Sequence, residues 1–445
     1  RYKLAANIGT QLISMGVKAV VAAGWAVNDA AAMDFAKVFY EGMFEGRAFG
    51  DAVKAARKYV FEYHAQGNTW GAYQCYGDPY FRLGKRGRKS APKDDTPVYI
   101  VPEEAEVELD NLSNELEMGK NDDGKNLGQL KKIIKGIELA KFNETVLLEK
   151  QALLYFEMGL YEQSINSFRS LLKAENAAFS FVSMEKYCNA RAKWHLQQFS
   201  RTNRVNCESA LDAVIRDLQM LYAAGKTAER MNLLGSTYKR KALVVEDEFS
   251  RVNCLWKALY HYQAAAKAKE NRYKVYSVTN SIALQLILVT GGSAVWGEHK
   301  TIDGLEVSLL TQQEAEARIK RLAHDHKLQD AKGGADYWHM GAGIDISVTS
   351  LLLGNKQKEE EWDMIIGSYK ALWSMAGSAG KKIAELEKLQ FLLCALSFAL
   401  QKAVPANLQI GKMKETGDIV LLEQLVRQLH KLHQHLYPRR KKKAN

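Results

Sequence analysis

Residues 17–46 read VKAVVAAGWAVNDAAAMDFAKVFYEGMFEG, and this stretch decides the class of fold. Val17 to Ala23, with Val at three positions, reads as a strand covered on both faces, as in a central parallel sheet. Asp29 stands where it can cap the next helix. That helix buries Ala32, Phe35, Ala36, Phe39 and Met43 and ends at Gly46. A second stripe follows in Phe49, Val53, Ala56, Val60 and Tyr63. Trp70 to Tyr76 then reads as another strand, closed by Gly77-Asp78-Pro79. Upstream, Leu4, Ile8, Leu12 and Met15 mark one face of a helix that stops at Gly16. Strand, two helices and strand predict a right-handed crossover unit. Two strands leave a sheet edge unpaired, so this piece needs more sheet to be stable.

Outward from that stretch the composition is globular, 47% hydrophobic and 25% charged, and 445 residues allow several domains. The densest apolar run, Phe391 to Leu400, is too short for a membrane span of about 20 residues. No signal-peptide pattern opens the sequence, and no membrane partner is expected. Cys75, Cys188, Cys207, Cys254 and Cys394 are scattered without a C-x-x-C pair, which predicts reduced thiols in a cytoplasmic protein. The net charge of +11 suggests nucleic acid until it is located. Lys85, Arg86, Arg88, Lys89 and Lys93 share one acid-free stretch, and Arg439, Arg440, Lys441, Lys442 and Lys443 form the tail. These ten cations account for all but one of the excess charges. A solvated linker and tail is the favoured reading, and RNA or DNA contact the weaker one.

The expected organisation has an α/β piece at 1–84 and a charged linker at 85–125. The linker holds Pro92, Pro97 and Pro102 and a short polar helix around Glu103 to Glu117. Helical repeats fill 126–290, further helical hairpins and a capping helix 291–437, and a basic tail 438–445. No strand is expected beyond 126. The clearest repeat is LLEKQALLYFEMGLYEQSINSFRSLLKAENA at 147–177. Its Leu148, Ala152, Tyr155, Gly159, Tyr161, Ser164, Phe168 and Leu171 match the spacing of a tetratricopeptide repeat, in which small residues let two antiparallel helices approach. Met231, Leu234, Gly235 and Tyr238, then Ala258, Tyr262 and Ala265, match a second copy. Gly235 and Ala258 are 23 positions apart where the repeat expects 12, so about 11 residues are inserted. Tyr276 to Thr290 and Trp338 to Leu353 read as degenerate repeat helices. Leu422, Leu425, Leu429, Leu432 and Leu436, ended by Pro438, predict a capping helix rather than a coiled-coil partner.

Residues 17–46, with WGAYQCYGDPYFRL at 70–83 and the repeats behind them, resemble the C-terminal half of a CHAT domain. This is the caspase-like cysteine peptidase fold associated with tetratricopeptide repeats. The resemblance implies an α/β caspase-like fragment followed by an all-α tetratricopeptide-like helical solenoid. It also implies a bacterial cysteine endopeptidase without cofactor, whose repeats bind a regulator or substrate protein. In such peptidases a Cys thiolate attacks and a His serves as base, each at the end of a central strand. The family's pair lies upstream of the matched segment, outside a chain that opens at Arg1. Neither His64, near a helix end, nor Cys75, inside the last strand, is then catalytic. Cys75 is expected as a buried core thiol, and the chain alone as inactive.

The resemblance places Trp25, Asn28 and Asp29 along the substrate groove. Trp25 supplies an apolar wall or packs on the first helix. Asp29 attracts a basic P1 side chain or, the better reading, caps the helix. His324 with His326, and His430 with His433, lack a third ligand and predict no metal. Gly291-Gly292 and Gly333-Gly334 are turns, not phosphate cradles. On the repeats Trp194, Tyr238, Trp256 and Trp338 are candidate anchors for a protein or peptide ligand, with core packing as the competing reading. A non-catalytic adaptor built on a degenerate peptidase scaffold is the alternative function. An RNA-associated effector is a third.

Overall fold

The computed structural model describes residues 12–13, 17–64, 67–83, 96–117, 123–174, 180–269, 271, 274–330, 336–354, 359–375, 378–403, 427–428 and 430–431. The expected first helix, apart from Leu12 and Ile13, lies outside these residues. So do Gly333-Gly334, His433, Pro438, both basic segments and the leucines of the capping helix. The chain forms two compact units divided between Asp95 and Thr96.

In the first unit, strand β1 (Ala19–Ala23) leads through a turn to helix α1 (Asp29–Phe44). Helix α2 (Phe49–Tyr63), the single-turn α3 (Thr69–Ala72) and strand β2 (Tyr73–Gly77) follow. The strands pair antiparallel, Ala19 opposite Gly77 and Ala23 opposite Tyr73, which overturns the expected crossover. The cause lies in the number of helices. One crossover helix returns the chain to the start of the first strand, whereas the α1–α2 hairpin returns it to the end. There Gly24 N–H donates to Ala72 O at 2.8 Å, and β2 must run back. Trp70 belongs to α3 rather than to the strand. Both strands are half-buried, not covered on both faces. Two small clusters hold the helices to the sheet. Ala31, Phe35, Ala56 and Val60 form one, and Met43, Phe49, Ala52 and Val53 the other.

The second unit opens with α4 (Pro102–Glu117), α5 (Asp123–Ala140), α6 (Thr145–Glu157) and α7 (Tyr161–Lys173). Helix α4 falls in the stretch expected as linker, where a polar helix was anticipated. Its Ala105, Leu109, Leu112 and Leu116 are buried against α5 and α6, so it is part of the packed array. Then come α8 (Phe181–Gln197), a 3-10 turn, α9 (Arg204–Ala224), α10 (Ala228–Val244), α11 (Glu248–Lys267) and α12 (Lys274–Thr290). The first helices of successive hairpins touch one another, α6 with α8 and α8 with α10, and α12 packs on α14 (Tyr337–Leu353). Between α12 and α14 lie a hairpin of β3 (His299–Ile302) and β4 (Leu305–Ser308) and helix α13 (Gln312–Asp330). The hairpin corrects the expectation of no strand beyond 126. Its turn, Asp303-Gly304, has φ of 48° and 78°, the left-handed pair that Asp-Gly favours. Helices α15 (Glu359–Ser374) and α16 (Ala379–Ala403) complete the described array. Among the described residues no helix is long and apolar enough to cross a membrane.

The expected insertion in the second repeat is not a loop. Five helical residues follow Ala152 in α6, and nine follow Gly235 in α10. Three helical residues precede Ser164 in α7, and ten precede Ala258 in α11. Both connections are three residues long. All the extra length is helix, so the hairpin is taller and uninterrupted.

Candidate functional site

Two regions gather the residues that the sequence singles out, one in each unit. In the first, the β1–α1 turn is fixed at both ends. Asn28, not Asp29, caps α1: its Oδ1 accepts from Ala31 N–H at 3.2 Å, and its own N–H donates to Thr69 Oγ1 at 3.1 Å. Asp29 is the first helical residue, exposed, with its carboxylate in the first turn where the helix dipole favours it. Trp25 is 42% exposed. Any side chain at Gly71 would meet its ring at 3.7 Å, so the indole lies over the α3 turn. The first helix, the alternative packing surface expected for it, lies outside the described residues apart from Leu12 and Ile13.

His64 and Cys75 are committed elsewhere. His64 ends α2, and its Nε2 lies 2.8 Å from Asp34 Oδ2 on α1. Cys75 is half-buried rather than the buried core thiol expected: it pairs with Val21 across the two-stranded sheet and packs beside the Met43–Phe49 cluster. Burial pushes its thiol up, and the nearby Arg57 only partly offsets this. A nucleophilic Cys needs the opposite shift.

In the second unit Ser164 Oγ donates to Ala152 O at 2.8 Å in a buried contact, which brings α6 and α7 together at their small residues. Tyr161 and Phe168 are buried, Tyr155 half-buried, and Gly159 turns the chain with φ of 73°. In the taller hairpin Gly235 faces the Tyr262 ring, which a Cβ would meet at 3.0 Å. Ala258 and Tyr262 are fully buried, and Tyr262 OH lies 3.1 Å from Tyr276 OH. Of the candidate anchors, Trp256 is 0% exposed and Tyr238 is stacked on His261, so neither can serve. Trp194 is half-buried, and Trp338 is 55% exposed. His326 stacks on His339, and among the described residues no group of three ligands could hold a metal.

Sequence reading missed a set of buried and partly buried ion pairs between the helices of this unit. Arg230 Nε donates to Glu185 at 2.7 Å, and Arg230 Nη1 donates to Leu221 O and Gly225 O. Lys193 on α8 and Arg240 on α10 reach Glu387 of α16 at 2.7 and 3.3 Å. Lys388 of α16 donates to Asp345 at 2.6 Å and to Glu385 at 3.0 Å. Burial works against the charge on Glu387, but Lys193 and Arg240 outweigh it and hold the carboxyl below its usual range. Lys239 donates to Asn280 Oδ1 at 2.5 Å and lies over the Phe391 ring at 4.4 Å, with no carboxylate paired to it among the described residues, and burial brings its ammonium down to about 7. The one signal in the sequence was Glu385, Glu387 and Lys388 set just before the apolar run of α16.

A family model for the CHAT domain matches residues 3–78, ending one residue past β2. A model described as Tetratricopeptide Repeats-Sensor matches residues 160–285, from the α6–α7 turn into α12. The chain thus carries a CHAT segment followed by tetratricopeptide-like repeats, the order that the sequence suggests. No curated protein and no solved structure matches it.

Proposed function

We propose that this chain contributes the substrate-groove half of a bacterial caspase-like cysteine endopeptidase, and that its repeats bind a regulator or substrate protein. The catalytic His and Cys would come from polypeptide preceding Arg1. The observation that carries this reading is the combination, in a CHAT segment, of an exposed Trp on a firmly braced strand-end turn with a half-buried Cys whose thiol is pushed up and a His tied to Asp34. Trp25 would form an apolar wall, and Asn28 and the cap it makes would hold the wall in place. Asp29, exposed beside them, is the group that would favour a basic P1 side chain. The scattered thiols support a reducing, cytoplasmic setting.

The codons that precede Arg1 test this directly. A His-Gly at the end of one apolar strand and a Cys with a small neighbour at the end of the next would support the peptidase. Their absence would leave the second reading, a repeat-built adaptor on a degenerate peptidase scaffold, which the extent of the helical unit favours. RNA contact through the basic segments would show as steeply salt-dependent binding lost on their deletion.

A further inference from the structure

Helix α16 changes character at Lys388. Beyond it Leu389, Phe391, Leu392, Ala395, Leu396 and Ala399 are buried in the main core of the second unit, which anchors that half. Ahead of it, Ala379–Lys388 offers only two large aliphatic side chains, Ile383 and Leu386, both partly buried, beside the small Ala379 and Ala384. What it buries instead is charge, Lys381 and Glu385 outright and Glu387 between Lys193 and Arg240. Helix α16 packs on α6, α10 and α12 and is paired to α8 through Lys193, so it lies along the first helices of successive hairpins. A continuous face shared by successive repeats is the kind of surface on which such arrays bind their ligands.

Its first turn is seated by glycine. A Cβ on Gly380 would fall 2.3 Å from Glu157 O, and one on Gly159 would fall 2.7 Å from Ile383 Cδ1. The seat is therefore specific in shape and charge. It is weakly held by comparison with the second half, because a buried ion pair contributes little beyond an apolar contact of the same size. Helix α16 also lies outside the matched repeats, which end at 285.

We propose that the first half of α16 is a built-in occupant of the repeat face, displaced by an amphipathic helix of a partner protein whose carboxylate takes the place of Glu387 between Lys193 and Arg240. The partner helix would carry apolar residues four and one positions before that acid, as Ile383 and Leu386 stand to Glu387. Leu389–Ala399 stays in the core. This rests on reading the repeats as a protein-binding array.

Hydrogen exchange on the full chain tests the plug in the wild type, in Gly380→Ala and in Glu387→Gln. Alanine favours helix more than glycine does, so faster exchange in Gly380→Ala reports a wedge rather than a lost helix. Amides of 379–388 are expected to exchange at least about tenfold faster in both variants, with 389–399 and α12 unchanged as the sign of an intact fold. A fluorescein-labelled peptide of residues 379–392 is the stand-in partner. Gly380→Ala should bind it at least about tenfold more tightly than the wild type, and a peptide with Glu387→Lys should bind neither. Unchanged exchange in both variants, loosening of all of α16 together with α12, or a freed segment without peptide binding would each overturn the proposal. Upstream codons lacking His and Cys would end the peptidase reading and leave these results standing.

Discussion

In residues 19–83 the strands are half-buried and Met33, Tyr40, Phe44, Phe61 and Tyr63 face outward, close together in a short stretch, whereas from Thr96 onward exposed apolar side chains such as Leu139, Phe249 and Met364 are spread over a much longer chain whose helices also bury charge. The contrast follows from how each element meets its needs. A helix satisfies its backbone internally, so a stack of hairpins has only side chains left to place. A strand depends on neighbours, and β1 has β2 on one edge alone among the described residues. The first unit therefore presents surface and the second consumes it.

The largest effect expected is in the second unit. Trp256→Ala removes its largest fully buried side chain and should cost about 4–5 kcal/mol, read as an earlier thermal transition by circular dichroism. Phe35→Ala, which strips the ring stacked at 3.9 Å on Tyr73, should leave that transition in place. If both variants shift the same transition, the units unfold as one and the comparison fails.

Next is the buried pair. Glu185→Leu alone strands Arg230 and should cost about 3–4 kcal/mol, while Glu185→Leu with Arg230→Met should return to within about 1 kcal/mol of wild type in urea titrations. A double variant as unstable as the single would mean that the charges themselves hold α8 to α10.

His261 gives a pH signature. Burial, with Lys257 nearby, brings its ring down to about 4 from an ordinary 6.5. As pH falls through that window the unfolded chain takes up a proton that the folded one refuses, so stability drops, by about 3 kcal/mol at most. His261→Phe should flatten this slope between neutral pH and about 4.5. An unchanged slope would place the acid sensitivity elsewhere.

Asn28→Ala is the smallest, about 1 kcal/mol from the lost cap, with exchange quickened only in the first turn of α1. A loss confined to Asp29→Ala instead would restore Asp29 as the cap.

The repeats were legible because a hydrophobic stripe declares its own helix, and small residues such as Ala152 and Ser164 mark where two helices meet. The β1–α1 turn was legible for the same local reason, although Asn28 and Asp29 are equally good caps in sequence and only backbone geometry chose between them. The strand direction was misread, although two helical stripes between the strands were visible and two helices return the chain to the end of the first strand rather than to its start. The Asp303-Gly304 hairpin signal was present and was outweighed by the helical stripes around it. The Lys193–Glu387 pair, 194 positions apart, could not be read from any local pattern. Among the site residues, Trp25 left a groove wall and packing on the first helix both open in the sequence, and its exposure was visible only in the structure.

The proposal that Cys75 is no nucleophile and His64 no base can be tested at the thiol itself. The most direct measurement is the rate of Cys75 alkylation by iodoacetamide across neutral and alkaline pH, followed by mass spectrometry, in the full chain and in His64→Ala. The account predicts slow labelling at neutral pH, rising only above the ordinary cysteine range and indifferent to His64. Rapid labelling at neutral pH that is lost in His64→Ala would contradict it, because that dependence is the mark of a working Cys–His pair.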